Sequence, residues 1–569
     1  MTESAETPGL DRRQSGDIVE PPTSLWAIVR QIGPGLIIAA NIVGSGELIM
    51  TTKTGAQAGI ALLWLILIGC LVKVFVQLEL GRFTISHGET TLSALSRVPG
   101  PRLKRVNWVV LLWAIMMLTT VGQLGGIVGG VGQAMALTFP FTGDYRDAVR
   151  IPAETDIQAY AKFVSGGADS EVSPEQAQRD AKRMAWIKRD LDALGDHGTV
   201  LLNMAIEGQP LVDEKGNSLT ELNTIDQKIW VIVIGFLTAW LLFVGRYRLI
   251  ERFAVVLVVS FTVITMGNVI SLQQTDQYAL SGEYIMRGLM FGLPEGKHAL
   301  LTALATFGII GVGATELISY PYWCLEKGYA RSAGPRESND AWLKRAVGWY
   351  RVMKFDAFAS MVIYTIATAA FFLMGVAVLH SEGRDPEKNR LVSTLAESYV
   401  PVFGEYARWL FLFGAIAVLY STYLVANASN ARMVADFIGV LGLSTSDADS
   451  TERRRLVTIW SVILPLACVV VFLTYEAPVL LIATAGMAQA VMLPVIGISS
   501  IYFRYRETDV RLRPGVVWDT LLITSCLALL IAGTWGLYEA WQKLAPAAPA
   551  AAAQTASATD TSPVTAAPK

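Results

Sequence analysis

Apolar residues in this chain gather into long blocks parted by short polar joints. A helix needs roughly 20 apolar residues to cross the ~30 Å hydrocarbon layer of a bilayer. About eleven stretches reach that length: 25–52, 58–80, 107–139, 227–246, 249–272, 299–325, 355–380, 405–438, 455–474, 477–502 and 516–540. The pattern predicts an all-α integral membrane protein that crosses its bilayer many times.

Composition agrees with that reading. Of 569 residues, 53% are hydrophobic and only 17% charged, against about 25% charged in an ordinary soluble chain. A net charge of -2 is too small to suggest nucleic acid or any strongly charged partner, and no nucleic acid is expected. The lipid bilayer is the one partner that composition demands. Cys70, Cys324, Cys468 and Cys526 lie within apolar blocks or at their edges, without metal-cage spacing, and read as packing residues. The N-terminus lacks the basic start and apolar core of a cleavable signal peptide. The four histidines, His87, His197, His298 and His380, are scattered, and neither metalloprotease nor nucleophile-elbow spacing is present, so an enzyme is not expected.

Charge gives orientation. Alternate connections carry the basic residues: Arg97, Arg102, Lys104 and Arg105; Arg246, Arg248 and Arg252; Lys327, Arg331, Arg336, Lys344 and Arg345; Arg453, Arg454 and Arg455; Arg504, Arg506, Arg511 and Arg513. All fall on one side if the N-terminus is cytoplasmic, which places the protein in the plasma (inner) membrane with basic loops inside. The chain then divides into a disordered cytoplasmic segment (1–22), spans 1–3 (23–140), an extracytoplasmic insert (141–225), spans 4–5 (226–272), spans 6–10 (273–502), span 11 (503–544) and a disordered tail (545–569) rich in Ala, Pro, Thr and Ser. Within the insert, Ser173-Pro174-Glu175 reads as a helix start and Gly195 as a stop, with Met184, Ile187, Leu191 and Leu194 at helical spacing between them. An amphipathic helix in a small external cap is expected there.

The chemistry lies in an internal repeat. Span 1 contains Val43-Gly44-Ser45-Gly46-Glu47-Leu48-Ile49 and span 6 contains Val312-Gly313-Ala314-Thr315-Glu316-Leu317-Ile318, identical at five of seven positions and five spans apart. An odd number of spans per repeat inverts the second copy against the first. A glutamate inside a span costs several kcal/mol unless it has a partner or a function. Each is preceded by helix-weakening residues, Gly44 and Gly46 in one copy, Gly313 and Thr315 in the other. Paired Gly-interrupted spans at matching points of two halves point to a secondary transporter whose site sits at the helix breaks. Two facing carboxylates in low dielectric require something positive between them, a divalent cation or a proton. The bland alternative is that each glutamate pairs with a buried base, for which Lys73 in span 2 is the obvious candidate.

Gly33-Pro34-Gly35 opens span 1, Leu62-Leu63-Trp64 opens span 2, Tyr247-Arg248 and Glu251 link spans 4 and 5, and Leu493-Pro494 lies in span 10. In the order and spacing of these motifs the chain resembles, along nearly the whole membrane part, the Nramp (natural resistance-associated macrophage protein) divalent-metal transporters. The resemblance implies a LeuT-type five-plus-five inverted repeat. The departures fall at the core. Gly44-Ser45-Gly46-Glu47 stands where that family has Asp-Pro-Gly-Asn, and Gly313-Ala314-Thr315-Glu316 aligns with its Met-Pro-His-Asn, although the Gly308-Ile309-Ile310-Gly311 run offers another match. Gln123 takes the place of the family's acidic proton-handling residue in span 3.

The expected site is therefore Glu47, Glu316, Thr315 and Ser45 with backbone carbonyls of Gly44 and Gly313. That donor set is all oxygen, suited to Mg²⁺ or Mn²⁺ ahead of Fe²⁺. No permanently bound cofactor is expected. With proton-handling residues missing, the reading is a uniporter or weakly coupled symporter. Two alternatives stand beside it: a carrier of an organic cation or amino acid, caged by Tyr320, Tyr322 and Trp323, and a non-transporting sensor whose insert binds a ligand. The donor chemistry predicts that uptake assays rank Mg²⁺ and Mn²⁺ above Cd²⁺. Strong preference for Cd²⁺ would reject an all-oxygen site.

Overall fold

The computed structural model describes residues 18–544 apart from 167–173, 214–215, 217, 221, 223, 245–246, 295–296, 386–389, 398–403 and 445–449. The expected tail (545–569), most of the expected N-terminal segment and the Ser173 cap lie outside the described residues. Ten helical stretches are long and apolar enough to cross a membrane. The first, Gly46–His87, passes through Gly59 at φ +58° and so joins the end of span 1 to all of span 2. Counted that way, the described residues make eleven passes.

Span 1 is assembled from Pro34–Ile42, a π-helical stretch Val43–Thr51, and Thr52–Ala58. Spans 2 to 5 are Leu63–His87, Trp108–Thr138, Ile225–Val244 and Tyr247–Leu272. Span 6 is two half-helices, Lys297–Ile309 and Ala314–Lys327. Span 7 is Asp340–Met374 extended by the π turn Gly375–His380, and spans 8 to 11 are Glu405–Val440, Thr451–Tyr475, Pro478–Tyr502 and Val516–Leu544.

Because lipid tails are as apolar as leucine, helices in a bilayer associate through close packing and polar contacts. Span 3 offers such a surface. A side chain at Gly126 would sit 2.6 Å from the Pro478 carbonyl, and one at Gly132 would sit 2.7 Å from Val231, so spans 10 and 4 press directly on its backbone. Spans 1 and 6 lie side by side at the centre, their Thr54 and Thr306 hydroxyls 2.6 Å apart.

The start of span 1 is held by a carboxylate from another span. Asp356 of span 7 accepts from the backbone N–H of Gly33 (2.9 Å) and Gly35 (2.6 Å), and the Tyr320 hydroxyl donates to it at 3.2 Å. The first N–H groups of a helix have no partner within it and favour negative charge, so Asp356 supplies what a local cap would. The Gly33-Pro34-Gly35 sequence suits this arrangement, since a side chain at Gly35 would meet the Asp356 carbonyl at 2.7 Å.

The insert carries the expected helix, Pro174–Ala193. It packs with Glu154–Val164 and Asp196–Ile206. Together they close a small core of Ile157, Ile187, Leu191, Leu201 and Leu211, with Met184 and Leu194 at its edge. Four of these are the residues whose spacing predicts the helix. The cap is fastened to the bundle by polar contacts. Arg179 donates to His380 at the end of span 7 (2.6 Å), and Arg390 donates to the carbonyls of Val149 and Thr220, both at 3.0 Å. Between cap and bundle lies a cavity of about 660 Å³ that reaches Ala56 and Gln57 of span 1, Ala299 of span 6 and His380 of span 7.

Asp356→Ala is expected to lower stability by about 2–3 kcal/mol, the order of a lost pair of charge-assisted hydrogen bonds, with Asp356→Asn milder because its oxygen still accepts. Thermal unfolding in detergent reads both. Equal melting for all three proteins would contradict the capping role.

Candidate functional site

The break in span 6 positions the site. Lys297–Ile309 ends, Gly311 takes φ +56°, and Gly313, with extended backbone (φ -69°, ψ 176°), caps Ala314–Lys327. The positive φ at Gly311 is the left-handed region that glycine enters without steric cost. The chain thereby presents the C-terminal pole of one half-helix and the N-terminal pole of the next to the same small volume.

Span 1 differs from the expectation of an unwound segment. Val43–Thr51 is a continuous π-helix, so its carbonyls stay largely within the helix instead of being freed. Two facts explain the shape. The Thr51 hydroxyl donates to the Gly46 carbonyl five residues back (2.9 Å), reinforcing the wider turn. Span 8 presses on the other side: Thr422 accepts from the Gly44 N–H at 3.0 Å and donates to the Ala40 carbonyl at 3.1 Å. A side chain at Gly44 would sit 2.2 Å from the Thr422 hydroxyl, so that glycine serves close approach of span 8.

Glu47 projects from this π-helix to the break. Its Oε1 accepts from the Gly311 N–H and from the Thr368 hydroxyl of span 7, both at 3.0 Å. Its Oε2 is buried with no hydrogen-bond partner among the described residues. Glu316, in the first turn of the second half-helix, accepts at Oε1 from the Asn41 amide of span 1 (2.8 Å). Asn41 Oδ1 is likewise buried and without a partner among the described residues. A side chain at Gly313 would sit 2.5 Å from Glu316 Oε2 and 2.7 Å from Gln489 Oε1 of span 10, so these two oxygens face one spot. Both carboxylates thus border the broken segment, Glu47 at Gly311 and Glu316 at Gly313.

Thr315 is drawn to spans 3 and 10. Its hydroxyl lies 3.4 Å from that of Thr120, and its N–H donates to Gln489 Oε1 at 3.4 Å. Gln489 in turn donates to Gln123 at 2.8 Å. Gln123, read as the stand-in for an acidic residue, is therefore a neutral amide tied to a second amide at the rim of the site. The Ser45 side chain is outside the described residues.

Among the described residues Lys73 makes no contact ion pair with either glutamate, though both lie near enough to act on its charge. Its buried ammonium donates to the carbonyls of Phe307 and Ile310, the latter at 2.8 Å, and it lies 4.8 Å from the Phe307 ring centroid. Tyr320, Tyr322 and Trp323 do not form a cage at Glu316. Their polar atoms engage Asp356, Asp436 (2.6 Å) and Ser429 (3.1 Å), all within packed interior. The four cysteines are buried and unpaired with one another.

Reading the sequence did not single out Asn41, Thr368, Thr422 or Gln489. Each is a polar residue inside an otherwise apolar span, a signal available without structure, but only the fold shows which of many such residues face the break. Among the described residues no three His, Cys, Asp or Glu side chains converge as a metal cage. A cation held here would therefore draw on carboxylate oxygens supplemented by amide, hydroxyl and carbonyl oxygens.

The profile of the family described as Natural resistance-associated macrophage protein-like (Nramp) matches residues 216–538, more than half of the chain. No curated protein matches. Among solved structures the chain is similar to a mutant form of the Eremococcus coleocola manganese transporter, with TM-score 0.51 and 13% identity, covering 92% of this chain and 90% of that one. It is also similar to that transporter in complex with an aromatic bis-isothiourea substituted compound (TM-score 0.49, 14% identity, 93% and 91% covered). A third similar structure is Mhp1, a nucleobase-cation-symport-1 family transporter (TM-score 0.46, 13% identity, 94% and 97% covered). The chain belongs to the Nramp-like family, and is a multi-pass transmembrane metal-ion transporter with the LeuT-type architecture of inverted five-helix repeats.

Proposed function

We propose that the protein moves a divalent metal cation across the plasma membrane through a site between Glu47 and Glu316. The observation that carries this reading is the placement of two buried carboxylates at one helix break, Glu47 on the Gly311 N–H and Glu316 against Gly313, with Glu47 Oε2 and Asn41 Oδ1 lacking a hydrogen-bond partner among the described residues. Buried polar atoms are rarely left without a partner, and an orphaned acceptor asks for a donor or a cation. Two carboxylates and a divalent ion cancel in charge, which removes most of the cost of holding the acids in low dielectric.

The remaining donors are oxygen: Thr315, Gln489 Oε1 and the backbone around Gly313, with Ser45 as a further expected ligand; the Gly44 carbonyl, also expected, belongs to the unbroken π-helix and is set aside. Hard ions suit such a set, so Mg²⁺ and Mn²⁺ rank ahead of Fe²⁺. Gln123 cannot take up a proton at ordinary pH, which favours uniport or weakly coupled symport. The N-terminus is assigned to the cytoplasm, and the insert (141–225) with its cavity becomes an outer vestibule above spans 1, 6 and 7. The organic-cation alternative loses its aromatic cage, because Tyr320, Tyr322 and Trp323 are committed to other partners.

The test is flux of Mg²⁺, Mn²⁺ and Fe²⁺ into proteoliposomes, run in parallel for the parent protein, Glu47→Gln and Glu316→Gln. Glutamine keeps an oxygen that accepts from Gly311 and Thr368, so the variants are expected to fold. Flux is expected to fall at least tenfold in both, which corresponds to about 1.4 kcal/mol or more of lost site free energy. Unchanged flux in either variant would remove that glutamate from the site. Competition of metal uptake by simple amines would instead favour an organic-cation carrier.

A further inference from the structure

The carbonyl pole of the broken span 6 is already occupied. Half-helix Lys297–Ile309 ends where its last carbonyls have no intrahelical donor, and such an end carries roughly half a negative charge that favours a cation. In carriers built on discontinuous helices, this is where unwound carbonyls hold a small coupling ion. Here the Lys73 ammonium of span 2 donates to Phe307 and Ile310 at that end. The residue is wholly buried.

One peptide unit links this ammonium to the proposed cargo site. The Ile310 carbonyl accepts from Lys73, while the N–H of the same peptide bond, on Gly311, donates to Glu47 Oε1. Among the described residues no ion pair within contact distance joins Lys73 to Glu47 or Glu316; both acids lie near enough to act on its charge, but its hydrogen bonds go to the helix end. Both carboxylates stay available to a divalent guest. An ordinary buried lysine would be expected to seek a carboxylate; this one is placed on carbonyls with two carboxylates nearby.

We propose that Lys73 is a resident, tethered cation that takes the place of a co-transported ion at the span 6 break, so that the transport cycle runs without a second cation. This rests on the reading of Glu47 and Glu316 as the cargo site. It makes Lys73 a positioning residue: it touches no cargo but fixes the peptide that orients Glu47. Removing the ammonium leaves a carbonyl-lined space at a negative helix pole, which a small monovalent cation or primary amine would fill.

The experiment compares the parent protein with Lys73→Ala in media where choline, Na⁺, K⁺ or methylammonium is the only monovalent cation. Two readouts are taken: Mn²⁺ flux in proteoliposomes and melting temperature in detergent without metal. For the parent, both are expected to be indifferent to the monovalent cation. For Lys73→Ala, flux in choline is expected to fall at least tenfold and to recover several-fold with Na⁺ or methylammonium, which also raise its melting temperature. A parent that needs Na⁺ or K⁺, a variant that transports normally in choline, or a folded variant that no cation rescues or stabilises would each overturn the proposal.

The melting arm separates this claim from the cargo reading. If the parent moves no metal, the cargo reading fails, yet cation-dependent stabilisation confined to Lys73→Ala still supports the tethered cation and its absence still refutes it. If Lys73→Ala does not assemble, indifference of the parent to the monovalent cation supports the proposal and dependence overturns it.

Discussion

A single peptide unit, Ile310–Gly311, ties the centre of this protein together. Its carbonyl faces a lysine and its N–H faces a glutamate, from spans 2 and 1 respectively. In a hydrocarbon environment an irregular backbone is tolerated only where each polar group finds a partner or lines a cavity. At the break in span 6 Lys73 and Glu47 satisfy the two polar groups of that unit, and the break in turn supplies a donor to buried Glu47. The remaining contacts of the site, Asn41 with Glu316 and Gln489 with Thr315 and Gln123, build outward from that unit.

Much of the architecture was legible in the pattern of apolar blocks. A length constraint imposed by the bilayer acts on each span separately, so it can be read locally, and the eleven blocks correspond to the eleven passes. The cap helix was legible for a similar reason: Met184, Ile187, Leu191 and Leu194 repeat at helical spacing and do meet in one core. Glu47 and Glu316 stood out because carboxylates inside spans are costly and rare. The two spans that carry them proved unlike each other. Span 6 breaks at Gly311, whereas span 1 widens into a π-helix in which Thr51 bonds the Gly46 carbonyl and Thr422 of span 8 packs on Gly44. Contacts between elements hundreds of residues apart leave no trace in local spacing.

The same limit explains Lys73. As a lone base in a span it reads naturally as a counter-ion for the acids, and sequence cannot say that the carbonyls of a broken helix will compete for it. Asp356 presents a parallel case at the start of span 1, where a distant carboxylate does the work of a local cap for Gly33 and Gly35. In both places a charge is balanced by oriented backbone dipoles, and in the proposed function the two glutamates are the groups left for a cation to neutralise.

Whether Glu47 and Glu316 share one cation at the break is decided by locating Mn²⁺ crystallographically, through its anomalous scattering, in the protein at saturating metal. A single strong peak within coordination distance of both carboxylates is expected. A peak elsewhere in the bundle, or none between those two side chains, would contradict a shared site.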